Sequence, residues 1–289
     1  MRGGVNPMNV VIRLMQPRDI PDGLRLKELA GWNQTEHDWR RFIEMSPEGC
    51  FVAEVDGYVV GTVTTVAYEN RVSWIGMMLV DPDYRRRGIA SLLMNRAIEH
   101  LKGKGTIKLD ATPQGREVYE RLGFHEEYGL VRMLAENPLI SSEGDGKISP
   151  VSEGSLDVIL RFDREAFGAD RGEIISSLWK QKADIAWKYE TDTGLSGYCF
   201  GRNGAKFTQI GPLVAESAEI ALALLKKAIA SSGPGAYVID VPDVQHSFVD
   251  AVGKAGFEVQ RSLYRMFLGE NTFPGNPDLT YAIAGPELG

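Results

Sequence analysis

Three consecutive arginines, Arg85, Arg86 and Arg87, stand directly before Gly88 in the stretch "DPDYRRRGIASLL", within a chain whose formal charge is −7. Arginine supplies permanent charge and forked donors, Gly88 removes a side chain, and Ala90 keeps the next one small, so the backbone there can approach an anion closely. The stretch joins the end of a β-rich run to the start of a helical one. The first amides of a helix lack internal partners and the helix dipole adds partial positive charge, which together make a phosphate seat. A solvated basic turn is the other reading of these residues taken alone.

Two further groups can do chemistry. The segment "LAGWNQTEHDW" gathers Trp32, Asn33, Gln34, Glu36 and Asp38, which can hold an amine by ring-face and carboxylate attraction. The same residues also suit a core and cap, with Thr35 or Asp38 opening a helix. Asp110 ends the strand "TIKLDA" and can serve as a base through water; its counterpart Asp240 in the second half, where no other site residue persists, favours a structural role such as turn capping. Cys50 and Cys199 lie in apolar runs and read as buried thiols, which suits a reducing compartment. With four scattered histidines, no spacing suggests a metal site.

The elements that must position these groups follow from periodicity. "NVVIRLMQ" is a strand and "DIPDGLRLKELAGW" a helix, with Ile20, Leu24, Leu26 and Leu29 near helical spacing. Asp56-Gly57 turns a hairpin between two β-rich runs, and "VSWIGMMLV" is a third strand, stopped by Asp81-Pro82. From Gly88 a helix runs to Gly103, followed by the strand "TIKLDA", the short helix "PQGREVYERLG" and the strand "FHEEYGLVRML". The polar segment 135–147 reads as a linker.

Beyond it the pattern returns. "IGMMLV" from Ile75 recurs as "IGPLVA" from Ile210, Gly123-Phe124 as Gly256-Phe257, and Arg132-Met133 as Arg265-Met266, the last two at one offset of 133 residues. These echoes, in order, predict a duplicated α+β unit: a domain over 1–134 and a second over 148–289.

The arrangement "VDPDYRRRGIA", followed by a strand, a helix bearing "VYERLGF" and a closing strand, resembles the GCN5-related N-acetyltransferase (GNAT) superfamily. Its Arg/Gln-x-x-Gly-x-Gly/Ala signature is met by Arg85, Gly88 and Ala90. The resemblance implies tandem GNAT folds, each a central mixed, mostly antiparallel sheet flanked by helices. It implies that the loop and first helical turn, Arg85, Arg86, Arg87, Gly88, Ile89, Ala90 and Ser91, cradle the pyrophosphate of acetyl-coenzyme A. Met78, Leu79 and Val80 would bond the pantetheine arm, and Thr112 stands where relatives often carry asparagine for the same arm. Arg116 is expected near the coenzyme phosphates. Tyr119 matches the tyrosine that protonates the departing thiolate, and the segment from Trp32 to Asp38 falls where relatives line the acceptor pocket. Relatives often carry a glutamate before the loop; Met77 and Met78 stand there instead.

The resemblance thus implies direct acetyl transfer to an amine, the rival being a coenzyme-binding module without turnover. In the second half, Val252 replaces the tyrosine, and "VAESAEIALAL" places Glu216 and Glu219 where phosphates would need cations. That copy is expected to be degenerate. The acidic balance disfavours a nucleic-acid partner, no apolar run reaches the roughly 18–20 residues that span a bilayer, and the start lacks a signal-peptide core, so the cytoplasm is expected.

Overall fold

The computed structural model describes residues 9–138, 140 and 146–289. They pack as two units, one of residues up to 67 with 75–103, the other of 68–74 with 104–289.

In the first unit, β1 (Val10–Leu14) leads to α1 (Ile20–Leu29) and α2 (Glu36–Met45), then to β2 (Phe51–Val55) and β3 (Tyr58–Tyr68). Asp56 and Gly57 turn that hairpin at φ 50° and 83°, the left-handed pair that matches strand twist. β4 (Val72–Val80) completes the order β1-β2-β3-β4. α3 (Ile89–Leu101) buries Ile89, Leu93, Met94, Ala97 and Leu101, a stripe at helical spacing. Each large apolar member is worth roughly 1.5–3 kcal/mol relative to exposure. Gly61 permits this packing, because a Cβ there would stand 3.0 Å from Leu93 Cδ1 and from the Leu79 carbonyl oxygen.

In the second unit, β5 (Thr106–Ala111) runs parallel to the start of β4, Val72–Trp74 facing Thr106–Lys108. α4 (Pro113–Arg121) and β6 (Phe124–Glu136) close the first repeat. β6 thus extends through Ala135 and Glu136 of the expected linker, of which 139 and 141–145 lie outside the described residues. The second repeat holds β7 (Ile148–Pro150), α5 (Leu156–Phe167), α6 (Gly172–Gln181), β8 (Trp187–Thr191), β9 (Gly194–Arg202), β10 (Thr208–Ala215), α7 (Ala218–Ser232), β11 (Ala236–Pro242), α8 (His246–Lys254), β12 (Glu258–Leu268) and β13 (Thr280–Ala282). Here too the crossover strands are parallel, β10 beside β11, and the remaining ladders antiparallel. The architecture is α+β with mixed, mostly antiparallel pairing.

The closing strands are exchanged. β12 of the second repeat lies between β5 and β6 of the first, and β6 lies between β12 and β11. Two buried ion pairs tie the exchange together. Arg265 bonds Asp110 at 2.9 and 3.0 Å, and Arg132 bonds Asp240 at 2.7 and 2.8 Å. Each pair joins one repeat's closing strand to the other repeat's crossover strand.

Candidate functional site

Between Val80 and Ile89 the chain turns first through Pro82–Tyr84, then through Arg86 and Gly88 at φ 60° and 81°. Asp81 roots the loop. Its carboxylate accepts from Asp83 N at 3.1 Å and from Arg25 Nη1 at 2.6 Å, and its own amide donates to the Val60 carbonyl at 2.9 Å. Arg25 also donates to the Val59 carbonyl at 2.7 Å, so α1 is fastened to both the loop and β3. The stretch Arg85–Gly88 is exposed, with Arg85 Nε on the Val80 carbonyl at 3.2 Å and the Arg87 guanidinium 5.4 Å from the Tyr84 ring centroid. No side chain caps α3, and its first helical bond comes from Leu92 N to the Gly88 carbonyl at 3.1 Å, so the amides of Ile89, Ala90 and Ser91 precede the ladder. A Cβ on Gly88 would meet nothing within 4 Å: left-handed φ selects the glycine, and the space above it is open. Cations, uncapped amides and room together fit a diphosphate.

β4 carries an irregularity that its sequence does not announce. Met77 adopts φ 48°, a left-handed conformation costing a non-glycine residue of order 1–3 kcal/mol. The Thr62 hydroxyl donates to its carbonyl at 2.8 Å and steadies the kink. Of the residues expected to bond the pantetheine arm, Met78 and Val80 are half-buried and Leu79 is buried.

In the second unit, Thr112 opens α4, its hydroxyl accepting from Gly115 N at 3.2 Å, and so works as a helix cap whatever else its proton meets. Tyr119 is half-buried, 6.0 Å from the Phe124 ring, and Gly115 leaves it room, since a Cβ there would stand 3.1 Å from Tyr119 Cε2. Burial pushes the Tyr119 hydroxyl up to about 12, so it holds its proton at neutral pH.

Three sequence expectations meet different roles here. Arg116 is paired with Glu120 at 2.8 Å and Glu126 at 3.0 Å and stacks 4.7 Å over Tyr264, so its charge is already matched. Both Asp110 oxygens accept from Arg265 and the side chain has no exposure; burial raises its carboxyl while Arg265 pulls it down, and the residue is a strut between strands. Asp38 is a capping carboxylate: Oδ2 accepts from the Thr35 amide at 2.7 Å and hydroxyl at 2.9 Å, and Oδ1 from Arg41 at 3.1 Å. With both oxygens bound and 1% exposure, Asp38 has nothing left for an amine. Glu36 forms a surface pair with Arg40 at 2.6 Å, and Trp32 is half-exposed. Asn33 and Gln34 are buried, and Gln34 Oε1 has no partner among the described residues. The tie made by Arg25, which lies in no motif, and the left-handed conformation of Met77 were not anticipated.

The second repeat closes what the first leaves open. Ser217 caps α7, accepting from Ile220 N at 3.4 Å, and its hydroxyl holds the Glu219 carboxyl below the usual range. β13 pairs with β10 at Leu213 and Val214, and Ala215 N donates to the Leu279 carbonyl at 3.0 Å. By the echo of "IGMMLV" in "IGPLVA", these positions correspond to Met78, Leu79 and Val80. The chain's own strand therefore takes the backbone edge whose counterpart in the first repeat the family resemblance gives to the pantetheine arm. A Cβ at Gly211 would overlap the Ile283 carbonyl, so the glycine admits this tail.

Comparison with known proteins gives two family matches: the Acetyltransferase (GNAT) family over residues 22–124 and an Acetyltransferase (GNAT) domain over 159–282. The holothin acyltransferase of a Pseudoalteromonas strain is 26% identical over 259 residues, covering 89% of this chain and 87% of its own. The crystal structure of an acetyltransferase candidate from Pyrococcus horikoshii superposes with a TM-score of 0.82 at 26% identity, over 100% of this chain and 99% of that one. A tandem GNAT protein from the clavulanic acid biosynthesis pathway shares the fold, with a TM-score of 0.62 at 16% identity over 90% and 98% of the chains. No helix among the described residues is long and apolar enough to cross a membrane.

Proposed function

The chain belongs to the GCN5-related N-acetyltransferase superfamily, with one domain of that fold in each half, and from that premise we propose that it moves the acetyl group of acetyl-coenzyme A directly to an amine. The observation that carries this reading is the open, uncapped start of α3 behind the exposed stretch Arg85–Gly88. In the reading, the amides from Gly88 to Ser91 and the charges of Arg85, Arg86 and Arg87 bind the diphosphate, and the backbone of Met78–Val80 bonds the pantetheine arm. Bound coenzyme supplies a thioester whose carbonyl carbon accepts an amine lone pair. Tyr119 gives its proton to the sulfur that leaves and regains one from solvent, a transfer worth typically 10²–10⁴-fold when the acid is well placed. Because Asp110 is locked to Arg265, no side chain is invoked as base: the amine attacks in its neutral form and passes its extra proton to solvent.

The domain over 1–134 carries the reaction and that over 148–289 is a degenerate copy, a reading supported by the serine cap on α7 and by β13 on β10. A coenzyme-binding module without turnover is the second reading, favoured by Met77 and Met78 standing where relatives often carry a glutamate, by Thr112 in place of asparagine, and by the engagement of Asp110 with Arg265. Acetyl-coenzyme A offered with a panel of amines separates them. Thiol release that depends on both the amine and Tyr119 supports transfer; tight coenzyme binding without release supports the module.

A further inference from the structure

The two buried ion pairs belong to matching rows across the exchanged strands, and the rows differ in one residue. In the first, Asp110 on β5 takes two bonds from Arg265 on β12, whose Nη1 donates to the Tyr128 hydroxyl on β6 at 2.6 Å. In the second, Asp240 on β11 takes two bonds from Arg132 on β6, and the register partner of Arg132 on β12 is Arg261. At the 133-residue offset that relates Arg132 to Arg265, Tyr128 corresponds to Arg261. An oxygen acceptor in one row is therefore a second guanidinium in the other.

Like charges directly opposite on neighbouring strands repel, and Asp240 does not relieve them. Its oxygens are spent on Arg132 and on Gln209 Nε2 at 3.1 Å. Among the described residues neither the Arg261 guanidinium nor Arg132 Nη1 has a hydrogen bond, and Arg261 has no ion pair. Burial and the nearby Arg132 hold the Arg261 guanidinium below the usual arginine range against the pull of Asp240, yet arginine keeps its charge at any ordinary pH. Of the Arg261 nitrogens only Nε is sealed from solvent. The side chain is half-buried while residues 258–260 and Ser262 beside it are exposed, so its Nη groups can be reached from water. Two facing cations with unmade donors suit an oxyanion that bridges them by charge-assisted hydrogen bonds.

The place of the pair in the fold indicates which oxyanion. β5 ends at Ala111, opposite Tyr264, and Arg261 lies three residues further along β12, about 10 Å past that end. Since β12 has β5 and β6 as neighbours, Arg261 has Arg132 on one side and no strand on the other. Beyond Ala111 the chain leaves the sheet as α4 on the Tyr264 face, where Arg116 stacks 4.7 Å over the Tyr264 ring. Side chains alternate along a strand, so Arg261 shares the opposite face with Leu263 and Arg265. Ligands of sheets with parallel crossovers collect outside the C-terminal ends of those strands, and β5 is such a strand. In the acetyl-transfer reading Tyr119 meets the sulfur from the α4 side, which leaves the face of Arg132 and Arg261 to the incoming amine.

We propose that Arg132 and Arg261 bind a carboxylate at the non-reacting end of the acceptor, an amine that also carries a carboxylate. The second repeat then supplies, through Arg261, a residue that selects the substrate. The assignment to the acceptor rests on the acetyl-transfer reading; the binding of a carboxylate does not.

The first test needs no coenzyme. Acetate and inorganic phosphate are titrated separately into the full chain at constant ionic strength, with the arginine Nε–Hε resonances as readout. Acetate is expected to shift the Arg132 and Arg261 resonances saturably. Arg261→Gln, followed on Arg132, should weaken acetate at least tenfold with its melting transition retained or raised, because the repulsion is relieved. The proposal is overturned by no saturable shift, by a shift with phosphate alone, by an acetate affinity within twofold in Arg261→Gln, or by a lowered melting transition, which would mark Arg261 as a strut. In the coupled assay, β-alanine, 4-aminobutyrate and phenylalanine are each compared with the amine lacking the carboxylate: ethylamine, propylamine and phenethylamine. At least one acid should exceed its partner tenfold in kcat/KM, and Arg261→Gln should bring that ratio to within about twofold of one. Equal values in every pair, or a ratio that Arg261→Gln leaves unchanged, also overturn it. Failure of the chain to bind acetyl-coenzyme A would instead remove the transfer reading, while the acetate titration would still report on the arginine pair.

Discussion

Arg265 on β12 and Asp110 on β5 are joined through two parallel hydrogen bonds of 2.9 and 3.0 Å, one repeat's closing strand gripping the other's crossover strand. Arg132 and Asp240 reproduce the same pair with the repeats interchanged. A buried pair is weak evidence of net stabilisation, because desolvation offsets much of the attraction, but removing one partner strands the other. Asp110→Asn and Asp240→Asn should therefore each lower unfolding stability by about 3–5 kcal/mol, read from urea midpoints at constant m-value. A loss below about 1 kcal/mol in either would show that these pairs do not hold the exchanged strands.

Tyr119 supplies the second prediction. Tyr119→Phe keeps the ring that Gly115 accommodates and removes only the hydroxyl, so kcat should fall at least about 100-fold while the affinity for acetyl-coenzyme A stays within about twofold.

The pH dependence of that residue follows from its burial. Its ordinary value is about 10, and in the fold the hydroxyl is pushed up to about 12. The folded state therefore holds the proton more tightly, and the corresponding stability is present below about pH 10 and lost as the pH rises toward about 12. Stopped assays at saturating substrates between about pH 8 and 10 should show no alkaline fall in kcat, because the acid remains protonated across that window. A fall inside it that vanishes in Tyr119→Phe would contradict the raised value.

The α3 entrance is tested by charge and by conformation. Arg85→Glu combined with Arg87→Glu should weaken acetyl-coenzyme A at least tenfold, about 1.4 kcal/mol, and more at low ionic strength. Gly88→Ala meets no neighbour but must hold φ 81°, a strain of roughly 1–2 kcal/mol, and should raise the dissociation constant with little change in kcat. Coenzyme affinity unmoved in both would remove the diphosphate seat.

Arg25 fastens α1 to Asp81 and to β3, and its side chain is about two-fifths exposed. Pairs of that exposure are worth about 0.2–1 kcal/mol, so Arg25→Ala should raise KM for acetyl-coenzyme A about two- to fivefold and leave kcat nearly unchanged. Arg25→Lys should recover part of the loss, since one cation can reach one of the two acceptors. A fall in kcat with KM unchanged would place Arg25 elsewhere in the reaction.

What the amino-acid order determined alone was local. The run from Asp81 to Ala90 reads as strand end, turn and helix start because proline, arginine and glycine constrain the backbone residue by residue. The hairpin at Asp56-Gly57 was legible for the same reason, and the duplication showed in echoes such as Arg132-Met133 and Arg265-Met266. Tertiary structure decided which partner each side chain meets. Asp110 and Asp240 looked alike in sequence, but only strand order shows that each is held by the other repeat's arginine. Asp38 could read as ligand or cap until the Thr35 amide and Arg41 took both its oxygens. Nothing in the local sequence marks the left-handed turn at Met77, nor β13 lying along β10. These depend on contacts between residues far apart in the chain, and such contacts are chosen by the packing of whole elements, which no short stretch encodes.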